Sequence, residues 1–276
     1  MERAEQKVAI VTGAGSKSGM GKELAEHLIS KDWLVACCDI NPRTGQIVTS
    51  SLGKNATFFH LDVCDYDSQA KVFSQVWQKW HRLDALLAHA GHGDRSSIYI
   101  LDRRGEPEVP PKPALQSLKA CYEGCLYGVQ LAIHFMRINQ VPRGGGGGWG
   151  IVATSSIASV HPHQTFPEYC GAKAAINQFV RTAAPILRLK DNITLNAILP
   201  GIVPTGAVPQ ASLDVTNPEH LTPIETVLIE CSTDKYFFLP RLELANGEAT
   251  KRACTVWEPL FESKHSEISG LGHAIP

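Results

Sequence analysis

The chain has little that would tie it to a membrane, a nucleic acid or an oxidising compartment. Its 276 residues hold 26 Lys and Arg against 27 Asp and Glu, a formal net charge of -1. Such a balance provides no broad basic field for nucleic acid or an anionic lipid surface. No stretch approaches the roughly 18 apolar residues that a spanning helix needs. The opening MERAEQKVAIV lacks a charged region followed by a long apolar core, so no secretory leader is expected and the expected location is cytoplasmic. The 8 cysteines show no small-domain disulfide framework. Cys37 and Cys38 are adjacent in an apolar run and would point to opposite faces of a strand. Cys121 and Cys125 share a helix face, but no third ligand completes a zinc set. All are read as reduced thiols, and no metal is expected.

Apolar residues are plentiful, at 43% of the chain, enough for one large α/β core. Apolar runs read as strands at 7–12, 33–39, 56–61, 84–88, 149–154 and 192–198. Helical spacing places helices over 19–31, 42–52, 67–81, 113–139 and 168–189. This alternation predicts a Rossmann-type, doubly wound parallel sheet of about seven strands with helices on both faces, in a single domain over 1–276. The last strand is placed at 249–256, and Thr222-Pro223 reads as a further helix start. The run Gly144 to Gly148 reads as a flexible surface link. Pro185 lies inside the 168–189 helix, and its kink is expected to leave the helix start intact.

The first strand runs into Thr12-Gly13-Ala14-Gly15-Ser16-Lys17-Ser18-Gly19-Met20-Gly21, and a helical pattern follows. Strand, glycine loop and helix in that order form the setting of a dinucleotide fingerprint. Glycines let the backbone approach a pyrophosphate, and the helix start offers it free N–H groups. The second strand ends at Asp39, where an acid can bond the adenosine ribose hydroxyls and would repel a 2′-phosphate. That favours NAD over NADP. A strand-end Asp can also cap a turn, and Lys17 in the loop is a signal for NADP.

Further along, Ser155-Ser156 closes the apolar run Ile151-Val152-Ala153-Thr154. Tyr169 and Lys173 then stand at i and i+4 of a helical pattern, within reach of each other. A phenol beside an ammonium is a route to an oxygen base. The unperturbed phenol pKa is about 10, and poising it near neutral pH takes about 4 kcal/mol.

Taken together, these segments resemble the short-chain dehydrogenase/reductase family, of the NAD-preferring type. The likeness covers roughly 6–205 in the family's order: TGAGSKSGMG, the acid of VACCD, LDV at 61–63, LLAHAG at 86–91, TSSIAS, YCGAK and LNAILPGIVPT at 195–205. It implies that Ser156, Tyr169 and Lys173 are the catalytic residues. It also implies a cofactor site from Gly13, Ser16, Gly19 and Met20, the acid Asp39 with Ile40, Asp62 and Val63 beside adenine, and Ala90 and Gly91. Tyr169 and Lys173 again belong to this site, with Pro200, Gly201, Val203 and Thr205 around the nicotinamide. The implied activity interconverts a secondary alcohol and a ketone on a small to medium, fairly apolar metabolite. The implied partners are that small molecule and further copies of the chain, as a homodimer or homotetramer. The implied substrate lid covers about 206–240 and a tail about 257–276; residues 235–276 are expected to cover the pocket or a subunit contact.

Three departures stand out. Five residues separate Gly13 from Gly19 where the family has three. His89 replaces an amide in the segment AHAG, and Cys121 falls where the family often carries an Asn that anchors a proton-relay water. These leave open a repurposed site for a non-redox isomerisation or cyclisation in a biosynthetic pathway of secondary metabolism. His161 and His163 precede Tyr169 and read as ordinary loop histidines.

Overall fold

The computed structural model describes residues 5–139, 149–201, 203, 205, 230–232, 235–237 and 258–272. Six short strands build the centre: β1 Val8–Thr12, β2 Leu34–Asp39, β3 Ala56–His60, β4 Ala85–Ala88, β5 Trp149–Thr154 and β6 Ile193–Ile198. They pair in parallel in the order β3-β2-β1-β4-β5-β6. The chain winds outward from β1 in one direction, then returns and winds outward in the other. The reversal opens a crevice beyond the carboxyl ends of β1 and β4, where such folds bind ligands.

All five residues of β1 are buried, as a strand covered on both faces requires. Its side chains divide by pleat. Val8 and Ile10 join the larger cluster with Phe73, Trp80, Phe135, Met136 and Ile176. Val11 joins Ala25 and Val35 on the other face. Cys38 and Cys37 part in the same way, one to each cluster, as adjacent strand residues must.

Helices α1 Met20–Ser30, α2 Pro42–Ser51 and α3 Tyr66–Trp80 follow the first three strands. Helix α2 is stopped at its start by chemistry visible in the sequence. Asn41 accepts N–H bonds from Arg43 and Thr44, and Pro42 fills the position whose N–H needs no partner. Asp65 does the same work for α3. Helix α4 runs in three segments: Gln116–Leu118, a π-helical turn over Lys119–Glu123, and Gly124–Arg137. Its start lies later than the expected 113, and the π turn has no signature in the apolar spacing. Helix α5, Pro167–Asp191, passes through Pro185 and ends at Asn192 in the left-handed region.

Six parallel strands are present among the described residues, against about seven expected; the position proposed for the last, 249–256, lies outside them, as do the helix start at 222 and the glycine run 144–148. Of the expected lid, 206–240, only Glu230–Ser232 and Lys235–Phe237 are described, and they pair with each other as antiparallel strands β7 and β8. The tail is described over 258–272. It forms helix α6, Glu258–His265, and the residues after it meet α5 at its far end, where Lys190 pairs with Glu267 and Gly270 lies beside Leu189. That contact is at the opposite end of α5 from Tyr169.

One buried ion pair anchors the amino-terminal side of the sheet. Asp84 accepts from the Arg82 guanidinium at 2.6 and 3.0 Å and from Val8 N–H at 2.8 Å. Removing the carboxylate by Asp84→Ala leaves a largely buried guanidinium without that partner. We expect a loss of roughly 3 kcal/mol of stability, read as a lowered denaturation midpoint in urea. A midpoint equal to wild type would show that water replaces the carboxylate at no cost.

Candidate active site

Gly13 ends β1 with φ +74°, a conformation that suits glycine, and a Cβ there would lie 3.0 Å from Ala90 Cα. Gly21 is more constrained: a Cβ there would run into the Gly13 carbonyl oxygen. The two extra residues of the loop swing outward. Ser16, Lys17 and Ser18 form an exposed turn that Gly19 N–H closes onto Ser16 O at 3.2 Å. The loop's inner path is thereby kept, and α1 starts at Gly19 with no side-chain cap. An uncapped helix start beside close-packed glycine is a place that a pyrophosphate fits.

Asp39 reaches into this loop. Its Oδ2 accepts Gly15 N–H at 2.8 Å and its Oδ1 accepts Asn41 N–H at 2.9 Å. The carboxylate therefore caps the turn after β2 and holds the glycine loop, while Ile40 beside it is exposed. Asp62 accepts Cys64 N–H at 2.9 Å, and Val63 O accepts from Gln69 Nε2 at 2.8 Å. Across the reversal, Thr12 Oγ1 takes the N–H groups of His89 and Ala90, each at 3.0 Å, and sews β1 to the end of β4.

Ser156 follows β5 and is nearly buried; its hydroxyl accepts Ala158 N–H at 3.2 Å and begins the turn Ile157–Ser159. Lys173 is 3% exposed, and its Nζ donates to Thr154 O at 2.6 Å. The same ammonium lies 5.4 Å from the centre of the Tyr169 ring, so the two side chains converge as their spacing implies. Burial pulls the Lys173 pKa down, but Cys121, Tyr169 and Cys125 outweigh it and hold the group above its ordinary value. Past β6, Pro200 O accepts Ile157 N–H at 3.1 Å, and Thr205 N–H donates to Val203 O at 2.8 Å. Gly201 is half-buried between them. Every residue expected at the site thus lies at the carboxyl ends of the strands, on the loops that follow them, or on the first two turns of α1 and α5.

The two substituted positions meet at Lys173. Cys121, on the π turn, is buried and directs its thiol at His92 O, 3.5 Å away. A Cβ on Gly91 would stand 2.8 Å from Cys121 Sγ and 3.5 Å from Lys173 Nζ, so these three groups share one pocket wall. His89 Nδ1 lies 3.1 Å from Thr154 Oγ1, which pairs one nitrogen of the ring. His161 and His163 are exposed, and His163 packs on Phe166.

Sequence reasoning missed Thr12, Thr154, Asp94 and Glu168. Asp94 accepts the N–H groups of Glu168 and Tyr169, and Glu168 accepts Leu118 N–H. One signal was available. Pro167 opens a helix and Phe166 before it has no capping side chain, so a cap had to come from elsewhere.

Residues 7–215 match the family model described as short chain dehydrogenase. The chain belongs to the short-chain dehydrogenase/reductase family, oxidoreductases that act on CH–OH groups with a nicotinamide cofactor. It is similar to short-chain dehydrogenase/reductase prx6 of Penicillium rubens, at 44% identity over 99% of this chain and 98% of that one. It is also similar to rat 15-hydroxyprostaglandin dehydrogenase [NAD(+)], from Rattus norvegicus, at 31% identity over 72% of this chain and 69% of the other. Among solved structures, a short chain dehydrogenase/reductase from Burkholderia phymatum in complex with NAD shares the fold. Its TM-score is 0.64 at 20% identity, over 79% of this chain and 73% of that one.

Burial, then the Lys173 charge, lower the His89 pKa from 6.5 to about 4. The folded state therefore binds this proton more weakly than the unfolded chain does. The resulting stability is fully present above pH 6.5 and is lost as pH falls towards about 4. Between those values the melting temperature of wild type should drop more steeply than that of His89→Asn, by about a few degrees. Parallel curves would mean that the ring is already charged in the fold.

Proposed function

We propose that this chain is an NAD(H)-dependent oxidoreductase that interconverts a secondary alcohol and a ketone on a small to medium, fairly apolar metabolite. The observation that carries this reading is the buried Lys173 ammonium lying over the Tyr169 ring at 5.4 Å, at the strand end that also presents Ser156. Tyr169 accepts the proton of the substrate hydroxyl, and Ser156 holds the same oxygen. Lys173 stabilises the negative charge that develops on the phenol oxygen, since its own charge is buried where it is poorly screened. In the reverse direction Tyr169 returns the proton to the forming alcohol.

The dinucleotide, when bound, supplies the hydride acceptor or donor. Gly13, Ser16, Gly19 and Met20 hold its pyrophosphate region, Asp39 and Ile40 the adenosine ribose, and Asp62 and Val63 the adenine. Ala90 and Gly91 border the crevice floor. Lys173 and Tyr169 face the nicotinamide ribose, and Pro200, Gly201, Val203 and Thr205 the nicotinamide. Two observations support NAD over NADP. The Asp39 carboxylate already occupies the loop where a 2′-phosphate would sit, and the prostaglandin enzyme with which the chain shares 31% identity is named for NAD(+). The enzyme works in the cytoplasm as a homodimer or homotetramer, in keeping with the habit of the family. No helix among the described residues is long and apolar enough to cross a membrane.

Cys121 favours a second reading. A thiol beside Lys173, where relatives often place an amide, suits an acid–base isomerisation or cyclisation that leaves the dinucleotide unchanged overall.

Secondary alcohols plus NAD should give reduced cofactor by absorbance, and Tyr169→Phe should lower kcat by on the order of 10²–10⁴-fold. Substrate conversion without net cofactor change would select the second reading. NAD should bind at least about tenfold more tightly than NADP, a difference of roughly 1.4 kcal/mol, and Asp39→Ser should narrow that gap. Tighter NADP binding by wild type would reject the preference.

A further inference from the structure

We propose that Asp94 is the positioning residue for Tyr169: from the loop after β4 it caps the helix on which the phenol stands. The proposal rests on Tyr169 being the acid–base group of this enzyme.

The first turn of any helix leaves N–H groups without partners. Those of α5 can be accounted for one by one. Pro167 has no N–H. Glu168 N–H donates to Asp94 Oδ2 at 3.0 Å, and Tyr169 N–H donates to Asp94 Oδ1 at 2.7 Å. Cys170 N–H donates to Phe166 O at 2.9 Å, the first bond internal to the chain turn. Phe166 contributes no side-chain cap. The whole start of α5 therefore hangs on one carboxylate, 75 residues upstream of Tyr169.

Two oxygens on two adjacent N–H groups fix more than distance. They set the rotation of the helix about its own axis, and with it the direction in which Tyr169 leaves the backbone. The bonded N–H is that of Tyr169 itself, so the phenol inherits the placement of Asp94. Acid–base transfer falls off steeply with small misplacement of the reacting groups.

The loop that carries Asp94 also touches the other parts of the site. Gly91 abuts Lys173 and Cys121. His92 O accepts Ser117 Oγ at 2.8 Å and faces the Cys121 thiol. Glu168, held at one end by Asp94, accepts Leu118 N–H at 2.9 Å and ties the start of α5 to α4. Residues 91–94 thus join the end of β4, the π turn of α4 and the start of α5 in one hydrogen-bonded frame. Asp94 is the member of that frame that addresses Tyr169.

The test uses the full chain with Asp94→Ala and Asp94→Asn, and reads kcat, KM, NAD affinity, thermal melting and amide hydrogen exchange at Glu168 and Tyr169. Asp94→Ala should lower kcat by about 10- to 100-fold while KM and NAD affinity stay within about threefold. Asp94→Asn keeps one accepting oxygen and should recover part of the loss. Exchange at the two amides should rise at least about tenfold in Asp94→Ala. If Asp94→Ala fails to fold, Asp94→Asn carries the comparison with wild type. A lowered melting temperature with wild-type kcat would overturn the proposal, since the carboxylate would then serve stability alone. Wild-type exchange at both amides would overturn it too. If the wild type oxidises no alcohol, the role given to Tyr169 fails, and the exchange data alone then decide whether Asp94 caps the helix.

Discussion

A single positive charge, held inside the protein at Lys173, is the constraint around which the site is built. Nζ is almost wholly removed from solvent, which disfavours an ammonium unless nearby groups answer it. The answer comes from a backbone carbonyl, Thr154 O, at 2.6 Å, together with the thiols and the phenol around it. Because Thr154 O is the last carbonyl of β5, the charge is tied to the sheet. Its location follows from strand order, and the polar groups near it follow from its location. Thr154 Oγ1 then engages His89, and His89 is kept neutral by the same burial and the same ammonium.

Around this charge the crevice is walled by backbone. Gly21 packs on the Gly13 carbonyl, Gly13 packs on Ala90, and Gly91 packs on Cys121 and Lys173. Glycine thus stands at each of these close approaches around the ends of β1 and β4. Asp39 enters from one side and Lys173 from the other. An acid thus stands at the end of β2 and a cation at the end of β5, on the same side of the sheet.

Much of this was legible in the sequence because each part has a local cause. The glycine loop, Asp39, Ser156 and the Tyr169–Lys173 spacing lie in continuous segments, and the strands are short apolar runs. The structure brings Ser156, Tyr169 and Lys173 to one end of the sheet, as the spacing implies. The longer glycine loop resolves simply, with the extra residues exposed at Ser16–Ser18. What was not legible depends on contacts distant in sequence. The π turn carries Cys121 to His92 O and Lys173, and apolar spacing holds no record of that contact. The tail helix Glu258–His265 has a weak pattern, and Glu258 is instead held by Ser269, whose N–H and hydroxyl both donate to it. Asp94 could be inferred only as a need, from a helix that opens on proline without a cap.

That helix also says something about the order in which the protein comes together. A segment whose first N–H groups find their acceptor 75 positions earlier cannot finish its first turn by local propensity. During folding, Pro167–Asp191 would start ragged and sharpen only when the β4 loop had docked, a contact of large sequence separation and hence a slow one to close. The reactive end of the helix then becomes orderly only together with the loop after β4, and a chain in which that loop is undocked would hold no finished first turn beneath the phenol.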